Sequence, residues 1–168
     1  MPTLKELTKE NHHKAERHAF VTAMMKNQLT PQQWTDYLIW KRDILLYLDF
    51  KLGLALIHPE YDRIEKFTQD IVETNAGNSE LAATKAYIDH LSTLLNSKAW
   101  AHVYVHYLGD LRGGQMLKKI VKLPMSHVDY KDGEALEDII REHVSDELAD
   151  EANKAFELTM AAMEEIMR

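Results

Sequence analysis

An all-α fold is predicted by three features of this 168-residue chain: it has only 6 Gly and 4 Pro, it is rich in strong helix formers, and it carries two capping sequences, each followed by apolar residues at helical spacing. A hydrophobic fraction of 45% is enough for one core, so a single domain over residues 1–168 is expected. The first helix starts at Thr3-Leu4-Lys5-Glu6, where hydroxyl and carboxylate can satisfy each other's orphan amides, and is expected to run to Lys26. The second starts at Thr30-Pro31-Gln32-Gln33, continues through Trp34, Leu38, Leu45 and Leu48, and should end at His58-Pro59. A short helix over 61–73 follows, then the turn-rich cluster 75–79. Helical spacing resumes through Leu81, Ala82, Ile88, Leu91 and Leu95. A helix over 98–122 carries Gly109, Gly113 and Gly114 and is closed by Leu123-Pro124. Two acidic helices, 132–145 and 147–167, complete the pattern, with no internal repeat.

Charge and composition exclude several functions. A net charge of −7 argues against nucleic acid as a partner, because phosphate binding needs a concentrated basic face. The charge is uneven: positions 1–26 hold five basic and three acidic residues, whereas 132–168 hold three basic and twelve acidic, so a small anionic ligand is favoured near the first helix. Without cysteine there is no disulfide, thiolate ligand or cysteine nucleophile, which suits a cytoplasmic address. No secretory leader or membrane span is expected. No strand precedes the glycines at 109–114 and no Lys-Ser/Thr follows them, so they do not form a phosphate loop.

Two segments carry possible chemistry. At about 100° per residue, Leu4, Thr8, Ala15 and Ala19 share a face of the first helix, and His12 lies at its edge beside Lys5, Lys9 and Glu16, while His13 points elsewhere. The small residues leave room for a flat ligand, and neutral imidazole is a good iron ligand when a carboxylate such as Glu16 fixes its tautomer. Lys5 can pair with an anionic group at the ligand's rim. A solvated His–Glu–Lys surface cluster fits the same residues. In the other segment, Gly109 and Gly113 stack on one helical face, letting backbone lie against a planar ligand, and Asp110 beside them can hold ordered water. The alternative there is an ordinary loop. His102 and His106, four apart, form a possible metal clamp that lacks an evident third ligand, and Glu10-Asn-His-His13 is a lone Glu-x-x-His where a di-iron bundle needs two.

Together, Leu4-Lys-Glu-Leu-Thr-Lys-Glu-Asn-His12-His-Lys-Ala15-Glu16, Tyr107-Leu-Gly-Asp-Leu-Arg-Gly-Gly-Gln-Met-Leu-Lys-Lys119 and Glu151-Ala-Asn-Lys-Ala-Phe156 resemble the haem oxygenase family. The resemblance implies a helical bundle holding haem b, at once cofactor and substrate, between a proximal N-terminal helix and a kinked, glycine-containing distal helix. It implies His12 as the axial iron ligand, Glu16 as its hydrogen-bonding partner, Lys5 and Arg141 on the haem propionates, Tyr104 in the pocket, Gly109 and Gly113 against the haem face, and Asp110 organising distal water for proton delivery. The implied reaction opens haem to biliverdin, ferrous iron and carbon monoxide. A haem carrier on the same fold is the alternative. Electrons would come from an external donor such as ferredoxin or another reductase, docking at Lys5, Lys9, Lys118, Lys119 and Lys122, and the chain would act as a monomer. Three positions depart from the family's pattern: His106 where Arg is common, Arg112 where Ser is usual, and Glu137 where a lysine often accompanies the propionate arginine.

Overall fold

The structure, a computed structural model, describes residues 1–77 and 79–168, so Asn78 of the expected turn cluster lies outside the described residues. It is all-α, with no strand among the described residues. The central helix is α4 (Pro31–Leu52), numbered after three short N-terminal pieces: α1 (Leu4–Leu7), α2 (Lys9–Glu16) and α3 (Ala19–Met25). Trp34, Leu38, Trp40, Ile44, Leu45 and Leu48 of α4 are all buried, which makes this helix the spine of the core. The chain continues through α5 (Leu54–Ile57), α6 (Ile64–Thr74), α7 (Ala82–Ser92), α8 (Asn96–Leu108), a π-helical turn (Gly109–Gly113), α9 (Gly114–Ile120), α10 (Gly133–His143) and α11 (Ala149–Ile166). Helix α8 packs between α4, α10 and α11, and α11 also reaches α2, α3 and α7.

Both predicted capping boxes form: Thr3 with Glu6 and Thr30 with Gln33. The expected continuous helix to Lys26 does not. At Thr8 the backbone leaves helical dihedrals (φ −106°, ψ 1°) while its hydroxyl and amide both donate to the Leu4 carbonyl, at 2.9 and 3.1 Å, and the chain is interrupted between α1 and α2. A second break follows at Arg17, where His18 Nδ1 accepts the Phe20 amide at 3.0 Å and caps α3. Leu4, Thr8 and Ala15 therefore stay on the buried face while Ala19 is exposed. The second helix stops at Leu52 instead of His58 because Gly53 takes φ +66°, a left-handed conformation that ends a helix at little cost for glycine. The predicted kink near the glycines takes the form of the π turn, which widens the helix without breaking the chain's course.

Three contacts hold α1 and α2 against α11 and its entry. Asp146 Oδ1 accepts the Leu4 amide at 2.7 Å, Asn11 donates to Asn153 at 3.1 Å, and Asn153 donates to the Leu7 carbonyl at 3.2 Å. On the opposite side, the segment after α9 is pinned by Asp70 of α6, whose carboxylate accepts the amides of Ser126 and His127 at 2.9 and 2.8 Å and His127 Nδ1 at 2.8 Å. Burial works to raise the Asp70 pKa, but the His127 ring and the two amides outweigh it and hold the carboxyl below its ordinary 3.8.

Asp70 thus contributes stability that is complete above the unfolded-state pKa and is lost as pH falls through the lower folded-state value. Asp70→Asn is expected to lower the unfolding free energy at neutral pH by about 3 kcal/mol and to make the acid limb below about pH 4 shallower than in the parent chain. Urea unfolding across a pH series measures both; an acid limb of unchanged slope would refute the assignment.

Candidate functional site

A cleft of about 360 Å³ opens between the N-terminal helices and the α8–π segment. One wall is Lys5, Thr8, His12 and Glu16. The other is Tyr104, Val105 and Leu108 of α8 with Gly109, Arg112 and Gly113 of the π turn, and Arg141 of α10 and Phe156 of α11 complete the lining. Sequence-predicted site residues Lys5, His12, Glu16, Tyr104, Gly109, Gly113 and Arg141 are therefore brought together, while Asp110 stands behind the wall. His13 is exposed and outside the lining.

His12 projects from α2 with Nε2 3.0 Å from Glu16 Oε1, one helical turn on, and its ring lies 5.7 Å from that of Phe156. A carboxylate engages one imidazole nitrogen and leaves the other for a metal, so the pair has the chemistry of an oriented ligand. Across the cleft, a Cβ built on Gly109 or Gly113 meets nothing within 4 Å. This bare backbone is a cradle in which any side chain would occupy the ligand's place. An imidazole on one wall, a side-chain-free helix on the other and three cations at the edge fit a flat, metal-centred, apolar molecule with anionic substituents, and haem has that form.

The rim cations are not independent. Glu137 of α10 bridges two of them, with Arg112 Nε at 2.8 Å and Arg141 Nε at 3.6 Å. The bond from Arg112 is the main cause holding the Glu137 carboxyl below its ordinary range, and it raises Arg112 in return. Arg112 and Glu137, both singled out by the sequence resemblance as unusual, are thus one linked feature: a guanidinium and the carboxylate that positions it. For Tyr104, burial raises the phenol, partly offset by Arg141 and Arg112.

Behind the π turn, Asp110 is buried with Oδ1 3.4 Å from the Lys41 ammonium of α4, and its Oδ2 has no hydrogen-bond partner among the described residues. A buried carboxylate oxygen ordinarily has a hydrogen-bond partner, which marks this oxygen as one able to accept from water. Lys41 also donates to His106 Nδ1 at 3.2 Å. Since an ammonium can only donate, His106 must carry its proton on Nε2 and donate to the Tyr87 hydroxyl at 2.8 Å. Tyr87 in turn donates to His102 Nδ1 at 2.6 Å, and His102 Nε2–H donates to Glu151 Oε1 at 2.7 Å. Burial is the main cause lowering the pKa of both histidines, His106 the more strongly with the Lys41 charge beside it, which keeps both neutral as this bonding requires. Instead of clamping a metal together, the His102–His106 pair shares a phenol.

Lys41, Arg112 and Phe156 were not predicted as site residues. Lys41 did leave a signal: it falls on the same helical stripe as Trp34, Leu38, Leu45 and Leu48, where a lysine is out of place unless paired. Of the five lysines expected at a docking rim, Lys5 lines the cleft, Lys118 is paired with Asp129, and Lys9, Lys119 and Lys122 are exposed.

A family model described as heme oxygenase matches residues 1–141. The chain is 27% identical to heme oxygenase 1 of Synechocystis sp., with 97% of this chain and 82% of that protein covered. It is 28% identical to heme oxygenase 2 of the same organism over 68% of this chain, and that alignment spans about half, 52%, of the relative's length. In fold it is similar to the crystal structure of the first of these in complex with heme, at a TM-score of 0.81 and 24% identity, covering 96% of this chain and 89% of that one.

The glycines of the π region differ in what they accommodate. A Cβ on Gly114 would come within 2.8 Å of the Val128 side chain, so Gly114→Ala is expected to cost about 1–3 kcal/mol of stability. Gly109 has helical dihedrals and open space, so Gly109→Ala should leave the ligand-free chain as stable or up to about 1 kcal/mol more stable. Equal losses in thermal unfolding would show that Gly109 serves the fold and not the cleft.

Proposed function

The chain belongs to the haem oxygenase family, and from that premise we propose that it opens haem b to biliverdin, ferrous iron and carbon monoxide, using molecular oxygen and electrons from an external donor. The observation that carries this reading is the cleft itself, with an oriented imidazole on one wall and the side-chain-free backbone of Gly109 and Gly113 on the other. Haem, when bound, supplies the iron at which oxygen is activated. The protein supplies position and protons.

His12 would hold the iron through a ring nitrogen, with Glu16 fixing the ring's orientation. Lys5 and Arg141 take the propionates, with Arg112 added by this chain at the same edge. Gly109 and Gly113 would let backbone come close to a face of the bound haem, and that close approach would restrict the space left for oxygen. Tyr104 and Phe156 pack the sides. Asp110 would hold a water at Oδ2 and relay protons into the cleft, while Lys41 keeps the carboxylate in place from behind. Residues 1–168 act as one catalytic domain. The exposed lysines Lys9, Lys119 and Lys122 suit an acidic donor protein of the ferredoxin kind.

His12→Ala should abolish the absorption signature of histidine-ligated haem iron, and His13→Ala should keep it; the reverse pattern would refute the ligand assignment. Asp110→Asn should still bind haem but open it at least about 100-fold more slowly, with unfolding measured in parallel to separate chemistry from stability. Unchanged turnover in that variant would remove Asp110 from the proton path.

A further inference from the structure

A second convergence of ligand-type side chains lies across α8 from the cleft. His102 and Tyr104 are two residues apart on that helix, hence about 200° apart around it, so a helix that presents Tyr104 to the cleft presents His102 to the opposite side. There His90 of α7, His102 of α8 and Glu151 in the first turn of α11 come together, with one ligand atom from each within 4.8 Å of the others. His90 Nε2 and His102 Nε2 both meet the same oxygen, Glu151 Oε1, at 2.5 and 2.7 Å.

We propose that His90, His102 and Glu151 form a binding site for a divalent first-row transition metal of the zinc type, separate from the haem cleft. The donor set is two imidazole nitrogens and one carboxylate oxygen, borderline ligands suited to such ions, with a position left for water. Zinc bonds of about 2.0–2.2 Å require ligand atoms roughly 3.3 Å apart in a tetrahedral arrangement, so the Glu151 oxygen, at 2.5 and 2.7 Å from the two nitrogens, has to draw back from each by less than about 1 Å to admit the ion. The side chains of His90 and Glu151 are 24% and 15% exposed, which supplies an entry path and room for the water, whereas His102 is fully buried. Glu151 is an anion: the His102 bond, against the opposing effect of burial, is the main cause bringing its carboxyl down to about 2.

Outer contacts suit a ligand as well. The Tyr87 hydroxyl, 2.6 Å from His102 Nδ1, fixes the ring. In the metal-free state it donates to Nδ1. With the ion on Nε2, the imidazole proton moves to Nδ1 and is donated to the Tyr87 oxygen, which then accepts from both His102 and His106 while its own O–H turns away from His102. The ring remains neutral throughout.

Titration of the metal-stripped, full-length chain with Co²⁺ is expected to give one saturable site per chain, with the visible bands of a four- or five-coordinate nitrogen–oxygen site, displaced by Zn²⁺. His90→Ala and Glu151→Gln, both at partly exposed positions, should each weaken binding by at least about 100-fold while remaining folded by circular dichroism. His12→Ala should bind as the parent does. Absence of a saturable spectrum, its survival in both cluster variants, or its loss in His12→Ala would overturn the proposal. None of these outcomes bears on haem turnover.

Discussion

A lysine ammonium buried in a helical core must be met by acceptors, and much of this molecule's interior is arranged around that requirement at Lys41. The side chain leaves α4 among tryptophans and leucines and finds two partners, Asp110 of the π turn and His106 of α8. Removing a counter-charge from such a site costs about 3–5 kcal/mol, so α4 and the α8–π segment are locked together. The same demand fixes the protons of His106, Tyr87 and His102 in one direction, ending on Glu151 of α11. A single buried cation is therefore linked through one chain of bonds to α8 and α11, and among the described residues Oδ2 of Asp110 has no partner.

The two walls of the cleft solve different problems. On the N-terminal wall His12 is paired with Glu16, and side-chain and amide contacts to α11 and its entry hold the short helices α1 and α2. On the facing wall the glycines of the π turn leave the backbone bare. Stability and access are divided within one glycine run: Gly114 is packed against Val128, while Gly109 and Gly113 face open space.

Features set by neighbours in the chain were legible in the sequence. The capping boxes at Thr3 and Thr30, the spacing of His12 from Glu16 and the shared face of Gly109 and Gly113 all follow from helical geometry. Features decided by distant partners were not. Gly53 reads as one more residue within a helical pattern until its left-handed φ is seen, and the first helix is anchored at Leu4 by Asp146, 142 residues away in the chain. Lys41 on an apolar stripe signalled a buried partner but could not name Asp110, and Glu137 looked like a lost lysine until it proved to bridge Arg112 and Arg141.

Cationic rim, imidazole, bare helix and buried carboxylate are the parts of the proposed haem site, and action on haem is what separates an oxygenase from a carrier of the same shape. The most direct measurement is a single turnover: the haem-loaded parent chain given a chemical reductant and oxygen, with the pigment then separated by chromatography. The account predicts loss of haem with formation of biliverdin and carbon monoxide. Haem recovered intact under those conditions would contradict it.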